Sequence, residues 1–141
     1  MRLELTAKAD LRWSFGGLLA VARWLAFLDS FLKRIYIIKM SRIIEKLYRG
    51  VNFSWDEAKA NANPGAHDGV TFDEALDVFF DPFMQLIEAS RNQELRHRAI
   101  GYSKLERLLV VVHLEETEDG FRIISAWKAG GVERKLYEES S

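Results

Sequence analysis

The chain of 141 residues contains no cysteine, which excludes disulfides and thiolate metal sites and fits a reducing compartment. Its formal net charge is -1, so no global attraction draws it to nucleic acid. Any such binding has to come from a local cluster, and the nearest one is Arg91, Arg96, Arg98, Lys104 and Arg107, offset by Glu94 and Glu106. It has only two prolines, and the residues around Pro64 and Pro82 read as the ends of two helices. No internal repeat or low-complexity tract interrupts the pattern.

Long hydrophobic runs are also scarce. The apolar blocks Phe15 to Ala22 and Trp24 to Leu28 are separated by Arg23, short of the roughly 20 residues a membrane helix needs. A signal peptide is a poor match, because Glu4 and Asp10 fall where positive charge belongs. Residues 1–39 therefore read as an amphipathic helical or disordered extension. Met40, followed by Ser-Arg-Ile-Ile, reads as an alternative start, which would make residues 1–39 a leader outside the native protein; residues 40–141 are the expected functional domain, which reads as cytoplasmic.

What is present is enough for a core, with 48% hydrophobic residues and 12% aromatics. The chain is organised around Glu106 to Lys128. Leu108 to Val112 is an aliphatic run bounded by charge, the pattern of a central strand covered on both faces. Residues Glu115 to Gly120 end in Asp-Gly and form a hairpin turn. Strict alternation would then place Phe121, Ile123, Ser125 and Trp127 on one face, and Arg122, Ile124, Ala126 and Lys128 on the other.

Upstream, Ser54-Trp-Asp-Glu57 and Thr71-Phe-Asp-Glu74 fit two capping boxes, predicting a helix over Asp56 to Ala62 and a second of about ten residues ended by Asp81-Pro82. Phe83 to Glu88 and Leu95 to Tyr102 read as two further strands, and Val132, Leu136 and Tyr137 as the apolar side of a final helix. Short turns between strands demand antiparallel pairing. The expectation is an α+β domain: two N-terminal helices, a four-stranded antiparallel sheet and a C-terminal helix.

Several motifs then fall in one order: Phe53-x-Trp55-Asp56-x-x-Lys59, Asn63-x-x-x-His67-Asp68-Gly69-Val70-x-Phe72, Phe80-Asp81-Pro82, Glu94-x-Arg96 with Ile100-Gly101, Arg122-Ile-Ile-Ser-Ala126, and Glu133-Arg134-x-x-Tyr137. In this order they resemble the BrnT toxin family. The resemblance implies a RelE-like fold and a ribonuclease toxin of a type II toxin-antitoxin pair. It further implies an RNA substrate, a hetero-oligomer with a BrnA-like antitoxin, and contact with operator DNA only through that antitoxin. Ala66 stands where the family pattern has Lys, and Trp127 where it has Arg.

RNA supplies its own nucleophile in the 2′-hydroxyl, so such an enzyme needs a base, an acid and cations opposite the phosphorane charge. His67 is the candidate base or acid, since an ordinary imidazole titrates near about 6.5. Arg96 can meet a phosphate bidentately, with Glu94 orienting it or acting as base. Lys128 and Tyr137 complete the catalytic candidates, and Arg98, Trp127 and Glu133 are candidates for RNA binding. The expectation is that His67 and Arg96 face one phosphate. His97 and His113 read as structural. No carboxylate lies at metal-ligand spacing from the three histidines, so neither metal nor cofactor is expected. Two rival readings are an antitoxin-binding protein of the same fold that has lost catalysis, and a small membrane-associated domain anchored by Phe15 to Leu28.

Overall fold

The computed structural model describes residues 17–33 and 41–141, in two units divided at Ser41 and Arg42. In the first unit, residues 17–33 form helix α1, with an Asp29–Lys33 ion pair one turn apart and Phe27 stacked on Phe31 at 6.3 Å. No described helix is long and apolar enough to cross a membrane. Met40 lies outside the described residues, as does most of the rest of the extension.

The second unit runs β1 (Ile43–Tyr48), β2 (Val51–Asp56), α2 (Glu57–Ala66), α3 (Phe72–Ala75), a 3-10 helix (Leu76–Phe80), β3 (Gln85–Glu88), β4 (His97–Tyr102), β5 (Leu108–Thr117), β6 (Gly120–Lys128) and α4 (Gly131–Ser140). The class is α+β and the C-terminal helix is present. The sheet, however, has six strands rather than four, in the order β1-β2-β6-β5-β4-β3, and it is mixed rather than antiparallel. β2 lies parallel to β6, with all the intervening elements as the long connection that parallel neighbours require. The two helices expected at the start of the domain instead follow a hairpin.

The capping pattern at Ser54 hides that hairpin in the sequence. Ser54 lies inside β2, and Asp56 is the cap, its carboxylate accepting the Lys59 backbone N–H at 3.0 Å. α2 then continues past Pro64 to Ala66 instead of ending at Ala62. Arg49 and Gly50 join β1 to β2 with φ of 50° and 86°, the paired positive values of a tight hairpin turn. The second helix begins at its expected cap, Thr71, whose hydroxyl accepts the Glu74 N–H at 3.1 Å, but tightens into 3-10 geometry after Ala75.

β5 is central, with Leu108 to Val111 buried as its aliphatic run required. Its two sides belong to different cores. On the inner face Leu109 and Val111 join Phe53, Trp55, Ile123 and Ala126 beneath Phe72, Ala75, Leu76 and Val78. On the outer face Leu108 and Val110 join Ile100 and Trp127 beneath Tyr137 of α4. The expected alternation along β6 is broken: the register with β5 shifts between Val112 and His113, leaving Ile124 as an extra residue. Ile123 and Ala126 consequently share the inner core, while Trp127 turns to the outer one, not to the face of Phe121 and Ile123. The bulge decides where the candidate site can be.

Candidate active site

His67 ends α2 as its C-cap, with φ of -140° and its backbone N–H donated to the Asn63 carbonyl at 2.9 Å. The side chain of Asn63, 5% exposed, ties this end of the helix to β6. Its amide donates to the carbonyls of Val70 at 2.8 Å and Ala126 at 2.7 Å, and its oxygen accepts the Ala126 N–H at 3.3 Å. The next residue of β6, Trp127, meets the His67 ring at 6.1 Å between centroids. An imidazole from a helix end and an indole from a strand end are thus adjacent.

The loop that follows His67 is held from the other side. Arg107 donates to the carbonyls of Asp68 at 3.0 Å and Gly69 at 3.4 Å, and pairs through Nε and Nη2 with the Glu74 carboxylate. Ser103 adds its hydroxyl to the same carboxylate at 2.8 Å. Burial alone would push the Glu74 pKa up. The hydrogen bonds from Arg107 and Ser103, with the Arg107 charge, outweigh burial and hold it below the ordinary carboxylate value.

The candidate cations fall at different distances from this pair of rings. Trp127 opposes Val110, which opposes Ile100, so β4 lies two strand spacings away, about 10 Å. Arg98 is two residues from Ile100 along β4, about 7 Å, and Arg96, just before the strand begins, is four residues away, at most about 13 Å. Arg96 donates from Nε to Glu94 at 2.6 Å and pairs with it through Nη2 as well. Among the described residues no contact joins His67 to Arg96, the pair expected from the sequence to face one phosphate. Arg98 is the nearer guanidinium. It shares the outer face with Ile100, makes no ion pair among the described residues, and carries a buried Nε without a hydrogen-bond partner there. Lys128, exposed at the end of β6 opposite Leu109, likewise makes no ion pair among the described residues.

Tyr137 and Glu133 have local partners. The Tyr137 hydroxyl, on a ring 7% exposed, donates to Asp81 Oδ2 at 2.8 Å, and burial together with that bond raises its pKa to about 12. The same Oδ2 accepts the Tyr102 N–H at 2.6 Å, and Oδ1 accepts that of Phe83 at 2.9 Å. Glu133 accepts the Gly130 N–H at 3.1 Å and so closes the first turn of α4. His113 is 1% exposed among Phe79, Phe121 and His97, a core position.

Sequence reasoning passed over the residues that build the frame. In the sequence Asn63 lies beside an expected helix end, Glu74 in a capping box, Asp81 before a helix-ending proline and Arg107 in a basic cluster. The signal was present at Asn63 and Asp81 in the motifs they belong to, but it gave no hint of partners 63 and 56 residues away.

The model of the ribonuclease toxin BrnT of type II toxin-antitoxin systems matches residues 55–133, from the end of β2 into the first turn of α4. The chain belongs to the BrnT toxin family. The match takes in His67, Arg98 and Trp127, and with them the Asn63, Glu74 and Arg107 frame. It leaves out β1, most of β2 and all but the start of α4. No curated protein matches the chain. Membership brings a ribonuclease activity and an antitoxin partner at the level of the family.

Proposed function

We propose that this BrnT-family chain is a metal-independent endoribonuclease toxin, neutralised by a BrnA-like antitoxin and acting in the cytoplasm, with its site where the end of α2 meets the end of β6. One observation carries the assignment of the site: the contact between His67 and Trp127, which joins two segments that the sequence had nominated separately. In this reading one base stacks on Trp127. His67 takes the proton of the 2′-hydroxyl, the freed oxygen attacks phosphorus, and the bond to the 5′-oxygen breaks as that oxygen takes a proton from water. The Arg98 guanidinium and the Lys128 ammonium balance the charge on the phosphoryl oxygens.

Arg96, with its Glu94 partner, lies just before β4 and meets a neighbouring phosphate of the RNA strand. Tyr137 and Glu133 position α4 beside this track and take no proton in the reaction. Trp127 replaces charge with stacking at its position, so the affinity of this site for RNA relies on Arg98 and Lys128.

The test is cleavage of single-stranded RNA by purified protein in the presence of chelator, compared with the His67→Ala and Arg98→Ala variants. Loss of cleavage in both, with thermal stability retained, is the expected result. Cleavage that survives both substitutions moves the site elsewhere. Cleavage by neither the variants nor the parent, with antitoxin binding intact, favours the second reading, an antitoxin-binding protein without catalysis, for which the loss of charge at Ala66 and Trp127 speaks.

A further inference from the structure

Among the described residues the outer edge of β1 has no strand partner, and this carries an inference that does not rest on RNA cleavage. β1 is the outermost strand of the sheet, and β2 covers only one of its two sides. The Arg49–Gly50 turn makes Tyr48 and Val51 the first hydrogen-bonded pair, so Lys46 and Ile44 also spend their backbone groups on β2. Ile43, Glu45 and Leu47 are left with N–H and C=O directed away from the sheet.

The side chains alternate in the same rhythm. Ile44, Lys46 and Tyr48 turn inward: Ile44 and Tyr48 pack on the core, Lys46 pairs with Asp73, and the Tyr48 hydroxyl donates to Asp77 at 2.7 Å. Those contacts fix the strand against α3 and the 3-10 helix. Ile43, Glu45 and Leu47 turn outward, and Leu47 is 68% exposed. Beside them opens a cleft of about 480 Å³ bordered by Glu45, Leu47, Asn52, Ser54 and Glu116.

A rigid strand with a free ladder, two exposed aliphatic side chains and one carboxylate between them is a template for strand addition. A second copy fits it poorly. Antiparallel self-pairing that sets Ile43 against Leu47 also sets Glu45 against Glu45, and like charges directly opposite are destabilising. The complement is a strand with a Lys or Arg between two apolar residues. Glu116, which also borders the cleft, is already held by Ser54 at 2.6 Å and by Arg122, which leaves Glu45 as the carboxylate without an ion pair there among the described residues.

We propose that the β1 edge docks an extended segment of another polypeptide, which adds a seventh strand and places a basic residue opposite Glu45 between apolar residues opposite Ile43 and Leu47. The family match begins at Trp55, so this surface belongs to the part of the chain outside it.

The test titrates full-length protein with the capped heptapeptide TVTKTVT and, separately, with TVTETVT, at low salt. Amide hydrogen exchange is read at Ile43, Glu45 and Leu47. Expected are slowed exchange at these three amides with the lysine peptide, about threefold weaker binding of the glutamate peptide, and reversal of that preference in Glu45→Lys. Leu47→Pro removes one outward N–H without touching the β2 ladder, and should abolish binding while leaving thermal stability nearly unchanged. Equal binding of the two peptides, protection elsewhere, or no protection with the parent protein overturns the proposal. So does self-association that Leu47→Pro dissolves, because it assigns the edge to a second copy.

Discussion

Arg107 binds Glu74 with two of its nitrogens and the carbonyls of Asp68 and Gly69 with the same guanidinium, so one side chain couples α3 to the loop after His67. The Glu74 side chain is only 6% exposed. In Arg107→Ala it would remain buried with Ser103 as its sole partner, at a cost of about 2 kcal/mol, reduced from the fully buried case because Arg107 itself is 27% exposed. The pH dependence should change sign. In the parent the depressed Glu74 pKa contributes stability above the unfolded value of 4.5, lost as pH falls through the folded value. In the variant burial prevails and raises that pKa, so the cost shrinks as pH falls. Urea denaturation at pH 7 and pH 4 checks both statements.

His113 gives a second pH prediction on a different group. Burial lowers its pKa from 6.5, the Val111 carbonyl opposes the shift, and the neighbouring His97 reinforces it. The unfolded chain therefore binds the proton more readily. The contribution is complete above about pH 6.5 and is lost as pH falls through the lower folded value. His113→Leu, which keeps an apolar side chain among Phe79 and Phe121, should flatten that part of the stability profile relative to the parent between pH 7.5 and pH 5.5.

The central strand, the Thr71 cap and the last helix were legible because each depends on local pattern: an aliphatic run, a hydroxyl three residues from an N–H, an apolar stripe. The hairpin between β5 and β6 was expected too, but β5 runs on to Thr117 and Gly120 already opens β6, so the turn is Glu118–Asp119 and not Asp-Gly. β1 and β2 were not, since Ser54 and Asp56 are both good caps and only the pairing with β6 decides between them. The bulge at Ile124 was equally invisible, and with it the face on which Trp127 stands. For the candidate site, the sequence nominates residue types and gives no distances. Arg96 and Arg98 look alike on one strand face, and it is the register through Ile100 and Val110 that brings Arg98 nearer to Trp127.

Tyr137 distinguishes a positioning residue from a proton donor. With its pKa raised to about 12, it should be missing from the tyrosines that ionise near pH 10 in an absorbance titration. Because the folded pKa lies above the unfolded value of 10.0, its contribution to stability is complete below pH 10 and is lost as pH rises towards 12. Tyr137→Phe removes the bond to Asp81 and should cost about 1 kcal/mol. If the hydroxyl only positions α4, the rate of RNA cleavage at saturating substrate stays within about twofold, whereas a proton donor would cost about a hundredfold.

Trp127 and His67 touch, yet their replacement should fail in different ways. Stacking of a base on indole is worth about 1 to 3 kcal/mol, so Trp127→Ala should weaken RNA binding roughly tenfold while leaving the chemical step largely intact. Trp127 also packs on Ile100 and Val110, and Trp127→Phe is the companion variant, which keeps an aromatic face and should recover most of the affinity. His67→Ala should leave binding nearly unchanged and slow single-turnover cleavage by about a hundredfold or more. Filter binding and single-turnover cleavage on the same RNA separate the two effects. If Trp127→Ala instead abolishes cleavage at saturating RNA while His67→Ala does not, the indole is orienting the reacting phosphate and the proton has another acceptor.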